Sequence, residues 1–242
     1  MVRRTVLVGE LRLASEARST GLQSFLLDRS ATIRAAARFY LRDTSEPPFD
    51  ASAFYRDRLR SQPTESVVLG VGETGTQADV EMLQACFDRA RSVAVAAAAV
   101  SAIAMLDRTA RVEWFESLLA EPRARVARAA CNALLASGVA FSGARVRRSL
   151  HDRRHPHTAR LAIRVLLAQG RLDALPDALR GAVHDDPVVV ARSTAFLAET
   201  LRSVRTREPF PEQAAEFELA WTETASRLPK DLADRVRAWF GD

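Results

Sequence analysis

Three of the four histidines lie in one seven-residue segment, His151-Asp152-Arg153-Arg154-His155-Pro156-His157. Imidazole and carboxylate groups at such short spacing could bind a zinc ion. Pro156 instead indicates a turn between two helices, where an acidic side chain such as Asp152 caps the second helix or bonds the turn amides. The histidines also lack a matched serine or cysteine nucleophile. We therefore predict no catalytic residues, no metal site and no cofactor.

A glycine motif offers a second possible chemistry. The segment Gly70-Val71-Gly72-Glu73-Thr74-Gly75 has the spacing of a dinucleotide-binding fingerprint. Such a site places the glycines between a strand and a helix of a βαβ unit, where the phosphates meet the helix N-terminus. This sequence shows no βαβ alternation. We interpret the glycines as the turn that leads from one helical hairpin to the next.

Arginines recur at a fixed interval and offer a third chemistry, the binding of anions. Arg128, Arg160 and Arg192 follow one another at 32-residue intervals, and Arg164 lies one helical turn after Arg160. Each of the three lies two residues, or about 200°, from a position that we expect to be buried, so they should line the outward face of successive helices. In helical repeats this face is commonly the concave one. Arg34 and Arg38 would extend the row, although their register is one residue off.

Composition limits the class of protein. The chain has 242 residues, of which 48% are hydrophobic and 27% charged, so it is globular and neither disordered nor collagen-like. The net charge of +5 permits nucleic acid or another acidic partner. Lys230 is the sole lysine. The abundance of Arg, Ala and Val indicates a GC-rich bacterial genome, which reduces the weight of the arginine count.

Cysteine usage and hydropathy indicate a cytoplasmic protein. Cys86 and Cys131 lie far apart in apolar helical stretches, which favours neither a disulfide framework nor a metal knuckle. The longest apolar stretch, residues 93–106, falls short of the roughly 20 residues that span a bilayer. We therefore expect no membrane partner.

These residues must be positioned by a repeated helical unit. A β-branched residue opens an Ala-rich helix about five positions after an acidic residue. The β-branched residue recurs at Val93, Val126, Thr158 and Val190, at intervals of 33, 32 and 32 residues, and further upstream at Ile33 and Val2. An amphipathic helix, the first helix of each unit, precedes each acidic turn, and the Ala-rich helix is the second helix. Two helices per 32 residues form a hairpin that buries its apolar stripe only against neighbouring hairpins.

The pattern resembles a known family. The segment 68–75, followed by Asp79, Val80, Leu83, Asp88 and Val93, resembles the consensus of HEAT-like repeats, including the bacterial repeats named after phycobilisome lyases. The resemblance covers residues 2–203 and implies an all-α fold, a right-handed α-solenoid of about six helical hairpins. Families of this type are mostly protein-interaction scaffolds, and a minority bind DNA or act as lyase subunits.

Both chain ends depart from the repeat. Pro209-Phe210-Pro211 interrupts the helical pattern, and two helices at about 212–227 and 231–240 are predicted to form a C-terminal capping hairpin. We therefore divide the chain into a repeat array, 1–203, and capping helices, 204–242. Val2 already corresponds to the start of a second helix, so the first hairpin should be uncapped and could self-associate.

Two hypotheses for function follow from the residues, and a third, an enzyme or a lyase-like subunit, follows only from the family resemblance. We expect a non-enzymatic cytoplasmic scaffold that binds an acidic protein partner along the concave face through Arg128, Arg160, Arg164 and Arg192. The alternative is a nucleic-acid-binding protein that uses the same arginine row. A structural role is also open, in which each arginine pairs with an acidic residue of a turn, namely Glu121, Asp152 or Asp185.

Overall fold

The computed structural model describes residues 21–44, 48–138, 143–152, 154–170, 172–203 and 211–240. Within these ranges a helical segment at residues 21–25 precedes thirteen α-helices and three short 3₁₀ helices, and no strand is present. The all-α prediction is therefore confirmed. The chain folds into two compact units, Met1–Arg111 and Val112–Asp242.

The first unit contains three helical hairpins. Its helices after residues 21–25 are α1 (Ala31–Thr44), α2 (Ala51–Ser61), α3 (Glu65–Thr74), α4 (Val80–Arg89) and α5 (Val93–Leu106), with a 3₁₀ turn at Gln77–Asp79. Helix α2 packs against α3, and α5 packs against both α3 and α4. Stacking of each hairpin on the next buries the apolar stripes.

The second unit contains three further hairpins and the C-terminal pair. Its helices are α6 (Val112–Ser117), α7 (Ala124–Ser137), α8 (Gly143–Leu150), α9 (Pro156–Leu166), α10 (Leu175–Ala182), α11 (Pro187–Ser203), α12 (Pro211–Thr224) and α13 (Lys230–Phe240). Short 3₁₀ turns lie at Leu118–Ala120 and Ala225–Arg227. The described residues of the two units form six repeat hairpins, in agreement with the predicted number of about six.

Four of the second helices bury their third residue. In α5, α7, α9 and α11 these residues are Val95, Val126, Thr158 and Val189, and all four are buried. The predicted register is therefore correct at Val126 and Thr158 and wrong at the other two hairpins. Val93 is 41% exposed and Val190 is only partly buried, because the acidic residue used for alignment does not stand at a constant distance from the helix start.

The glycine motif lies inside a helix rather than in a turn. Gly70 and Gly72 are buried residues of α3, and only Gly75 ends that helix. A Cβ on Gly70 would lie 2.2 Å from Cε1 of Tyr55, and one on Gly72 would lie 2.7 Å from Cα of Ala102. The glycines therefore allow close packing of α3 against α2 and α5. Our interpretation of them as a turn is wrong for Gly70 and Gly72.

The predicted C-terminal hairpin is α12 and α13. It packs on α10 and α11 through a buried apolar cluster that includes Leu179, Leu197, Phe217, Val236 and Trp239. This cluster removes from water the apolar side chains of α10 and α11 that face α12 and α13, as expected of a capping hairpin.

Two predictions concern the chain ends. The predicted domain boundary after residue 203 adjoins residues 204–210, which lie outside the described residues, and it stays a prediction. The uncapped first hairpin and its self-association fall on residues 1–20, which also lie outside the described residues.

No described helix is both long and apolar enough to cross a bilayer.

Candidate binding surface on the second helices

Three second helices of the second unit form one surface. Helix α9 packs against both α7 and α11. Arg128 of α7, Arg160 and Arg164 of α9, and Arg192 of α11 are all exposed, as predicted from their spacing. We call the outward face that carries these four residues the second-helix surface.

The second-helix surface is strongly cationic. Helices α7 and α9 contain no acidic residue, and Arg125 adds a fifth exposed cation. The acidic residue of α11 is Glu199, which pairs with Arg202 at 2.9 Å near the end of the helix. Positive charges that outnumber the carboxylates beside them attract anionic groups and steer their approach.

Two of the arginines reach back to the preceding second helix. Nη1 of Arg192 donates to the backbone oxygen of Arg160 at 3.1 Å, and Nη1 of Arg164 donates to Oδ1 of Asn132 at 3.3 Å. In both pairs the acceptor lies 32 residues earlier, on the second helix of the previous hairpin. These bonds hold the guanidinium groups in place and join adjacent hairpins.

A carboxylate of the next turn holds the third arginine. Nε of Arg160 lies 2.9 and 3.2 Å from the two carboxylate oxygens of Asp186. Asp186 also accepts hydrogen bonds from the amides of Val188 and Val189, so it caps α11. Partial burial raises the pKa of Asp186, but the hydrogen bonds from these amides and from Arg160 outweigh it. The pKa therefore lies below its ordinary value, and the carboxylate stays ionised.

The structural role that we left open is therefore correct for Arg160, but with a different carboxylate. Asp186, rather than Asp185, forms the pair. The carboxylates of Glu121 and Asp152 pair with Arg123 and Arg154, each two residues later in its own turn. Hydrogen bonds from the Arg154 side chain and amide lower the pKa of Asp152 to about 2. Asp152 thus bonds a turn amide, as predicted.

Arg128 differs from its equivalents in the later hairpins. It is exposed, and its side chain forms no ion pair or hydrogen bond with any residue that the structure describes. Its guanidinium can therefore turn toward a bound anion without first breaking an internal bond. It is the cation of this surface whose loss should affect binding and spare the fold.

Arg34 and Arg38 do not extend the row, contrary to our expectation. Arg34 is only 1% exposed and bonds the Glu73 carboxylate together with the backbone oxygens of Asp28 and Arg29. Arg38 pairs with the same Glu73 at 2.6 Å. The offset register turns Arg34 into the interior of the first unit, where Glu73 of α3 compensates its charge.

The histidines link neighbouring turns. Nε2 of His157 lies 2.9 Å from the backbone oxygen of Glu121, and Nε2 of His184 lies 3.0 Å from that of Leu150. Nδ1 of His184 accepts from the amide of Asp186 at 2.9 Å, so Nε2 must carry the ring proton and donate it. No group of three or more potential metal ligands comes together among the described residues.

Sequence reasoning missed Asn132 and Asp186. Asn132 could have been found, because it stands 32 residues before Arg164 on the same helical face. Asp186 could have been preferred to Asp185, because Pro187 opens α11 and the residue before a helix-opening proline is a usual cap.

Comparison with known proteins assigns no family to the chain. No family model matches the chain, and no curated protein matches it. A solved structure of human deoxyhypusine hydroxylase in complex with glycerol is similar over 93% of this chain and 95% of that chain, with 14% identity and a TM-score of 0.34. The helical repeat architecture is therefore read from the packed hairpins of this chain, and the finer assignment to HEAT-like repeats stays a prediction.

The comparison also corrects one expectation. We expected a non-enzymatic protein, but the matched structure is, by its name, that of an enzyme. The absence of enzymatic activity therefore does not follow from a helical repeat architecture, and we withdraw it. At this level of similarity the match also provides no argument for a particular reaction.

Proposed function

We propose that the chain binds an acidic segment of a protein partner on the second-helix surface. Arg128, Arg160, Arg164 and Arg192 are the contacting residues. The observation that supports this proposal is the exposure of all four on neighbouring helices, two of which contain no acidic residue. Carboxylates of a partner would form charge-assisted hydrogen bonds with them.

The internal bonds of three arginines favour such binding. Each guanidinium has five N–H donors, and Arg160, Arg164 and Arg192 each use one donor in the bonds described above. The remaining donors are available to a ligand. Because these side chains are already held, less rotamer entropy is lost on binding than for free surface arginines.

The spacing of the helices suits a helical ligand. Packed helices lie about 8–10 Å apart, so arginines on successive second helices repeat at roughly that distance. Residues six positions apart in an α-helix are separated by about 9 Å along its axis. An acidic helix that crosses α7, α9 and α11 could therefore place one carboxylate at each.

The same surface could attract nucleic acid, which was our alternative hypothesis. We favour protein because Arg160, Arg164 and Arg192 are each fixed at one position, which suits a partner with discrete carboxylates. We further propose that the repeats are HEAT-like, related to the phycobilisome-lyase type, and that the protein acts in a bacterial cytoplasm.

A titration tests the proposal. Fluorescence anisotropy would follow a labelled helical peptide with glutamates on one face, alongside a labelled DNA duplex, in separate titrations with the protein. We expect saturable binding of the peptide, reduced about tenfold by Arg128→Ala and unchanged by Arg235→Ala, an exposed arginine of α13.

Two results would count against the proposal. Binding of the peptide that is equal for both variants would exclude the second-helix surface. Preferential binding of the duplex would favour nucleic acid instead. In that case the slope of log binding constant against log salt concentration should become shallower by about 0.9 for each arginine contact removed.

A further inference from the structure

A cavity of about 470 Å³ lies in the first unit, between α2, α4 and the first turn of α5. Its volume falls in the range of about 300–1,000 Å³ that is typical of small-molecule sites. The second-helix surface belongs to the other unit, so this cavity is independent of the proposed function.

The charged residues that line this cavity are all basic. They are Arg60, Arg89 and Arg91, and no carboxylate is among the lining residues. Arg60 pairs with the exposed Asp57 at 2.9 Å, and Nε of Arg89 donates to the backbone oxygen of Ala85. The side chain of Arg91 is exposed and contacts no hydrogen-bonding or charged partner within the described part of the chain.

The remaining lining is mostly apolar. Leu59, Cys86 and Val95 are buried residues of three different helices, and Met82 is half-buried between them. An apolar body placed against these side chains would be removed from water, while its charged end could reach the arginines. The cavity therefore combines an apolar wall with a cationic rim.

We propose that this cavity binds a small organic anion that has an apolar body and a carboxylate or phosphate group. The apolar body contacts Leu59, Met82 and Val95. The anionic group binds the guanidinium of Arg91, with Arg60 and Arg89 adding positive potential. Arginine suits both anions, because its planar N–H donors match the oxygens of carboxylate and of phosphate.

The thiol of Cys86 provides a direct readout, because it lines the cavity, whereas Cys131 is fully buried in the second unit. A bound ligand should slow the reaction of Cys86 with a thiol reagent, measured by mass spectrometry of the intact protein and its peptides. Labelling of Cys131 serves as the internal reference for global opening. Octanoate and phenyl phosphate are the two anionic probes, and octanamide is the neutral control.

We expect saturable protection of Cys86 by at least one of the two anions and little protection by octanamide. The anion that protects more strongly identifies the preferred head group. The inference is overturned if neither anion protects Cys86, or if octanamide protects it as well as octanoate does.

A matched pair of variants tests the role of the charge. Arg91→Gln should raise the half-protecting concentration of the preferred anion about tenfold, since a charge-assisted bond is lost. Arg108→Gln, another exposed arginine of the same unit, should leave it unchanged. Equal protection in the Arg91→Gln and wild-type proteins would also overturn the inference, provided that both have the same far-ultraviolet circular dichroism.

Discussion

Nη1 of Arg192 donates a hydrogen bond to the backbone oxygen of Arg160, which lies 32 residues earlier on the second helix of the preceding hairpin. Arg164 and Asn132 are related in the same way, again 32 residues apart. Arg160, Arg164 and Arg192 therefore join adjacent hairpins, and in our proposal they also present positive charge to a partner. The sequence pattern alone does not separate these two roles.

The joining role predicts a measurable loss of stability. Arg192→Ala removes the bond to the Arg160 carbonyl and should lower the free energy of unfolding by about 0.5–1.5 kcal/mol. Arg202→Ala is the control, because Arg202 lies on the same helix and pairs within it, with Glu199. Its effect should stay within about 0.5 kcal/mol. Equal losses in urea denaturation of the two variants would contradict the joining role.

The Arg56–Asp79 pair predicts a pH-dependent stability. Asp79 is buried, accepts two hydrogen bonds from Arg56, and bonds the amide of Thr76. The bonds from Arg56 are the main reason that the pKa of Asp79 lies below its ordinary value. A carboxyl with a lowered pKa in the folded state stabilises the protein above its unfolded-state pKa, and this contribution disappears as the pH falls through the folded-state value.

Asp79→Asn should therefore lower the free energy of unfolding by about 1.5–3 kcal/mol at neutral pH. The difference from wild type should shrink as the solution is acidified below the ordinary carboxyl pKa of 3.8. Thermal unfolding across this pH range measures it. A difference that is constant with pH would show that the ionised carboxylate is not what stabilises the fold.

The close approach of α3 and α5 makes Gly72 sensitive to substitution. A Cβ there would lie 2.7 Å from the backbone Cα of Ala102, so Gly72→Ala should destabilise the protein by about 1–3 kcal/mol. Gly143→Ala is the matched control, since its Cβ would lie 3.5 Å from Cζ of Arg147, its nearest described neighbour, which is an ordinary van der Waals contact. That variant should be neutral or slightly stabilising. Chemical denaturation distinguishes the two.

The C-terminal hairpin is held partly by charge. Asp177 of α10 is fully buried, and Nε of Arg147 donates to it at 2.7 Å, while Nη1 of Arg147 reaches Glu216 of α12 at 2.8 Å. Burial raises the pKa of Asp177 despite the Arg147 pair. Arg147→Gln would leave a buried carboxylate without its main partner and should cost about 2–4 kcal/mol.

The cost of Arg147→Gln should diminish as the pH falls, because a carboxyl with a raised folded-state pKa takes up a proton more readily in the folded protein. Arg148→Gln, an exposed neighbour, is the control and should have little effect. Differential scanning calorimetry at several pH values measures both variants. A loss that grows on acidification would contradict the assigned role of Asp177.

The repeat period predicted which arginines of the second-helix surface are exposed. It did not predict ion pairs between residues that are far apart in the sequence. Arg128, Arg160 and Arg192 are all exposed, as their spacing predicts, although the register error in α11 places Arg192 three residues after the buried position rather than two. Arg34 has the same side chain but is buried, because Glu73 approaches it from a helix that is 39 residues away. A local sequence pattern contains no information about such a partner.

The most direct test of the proposed function is a charge exchange between protein and ligand. Binding of a glutamate-bearing helical peptide and of its lysine-bearing counterpart would be measured for wild type and for Arg128→Glu, which disrupts no bond to a described residue. We predict that wild type prefers the acidic peptide, and that Arg128→Glu weakens this binding and strengthens that of the basic peptide. Unchanged preference in the Arg128→Glu protein would contradict the assignment of the second-helix surface as the binding site.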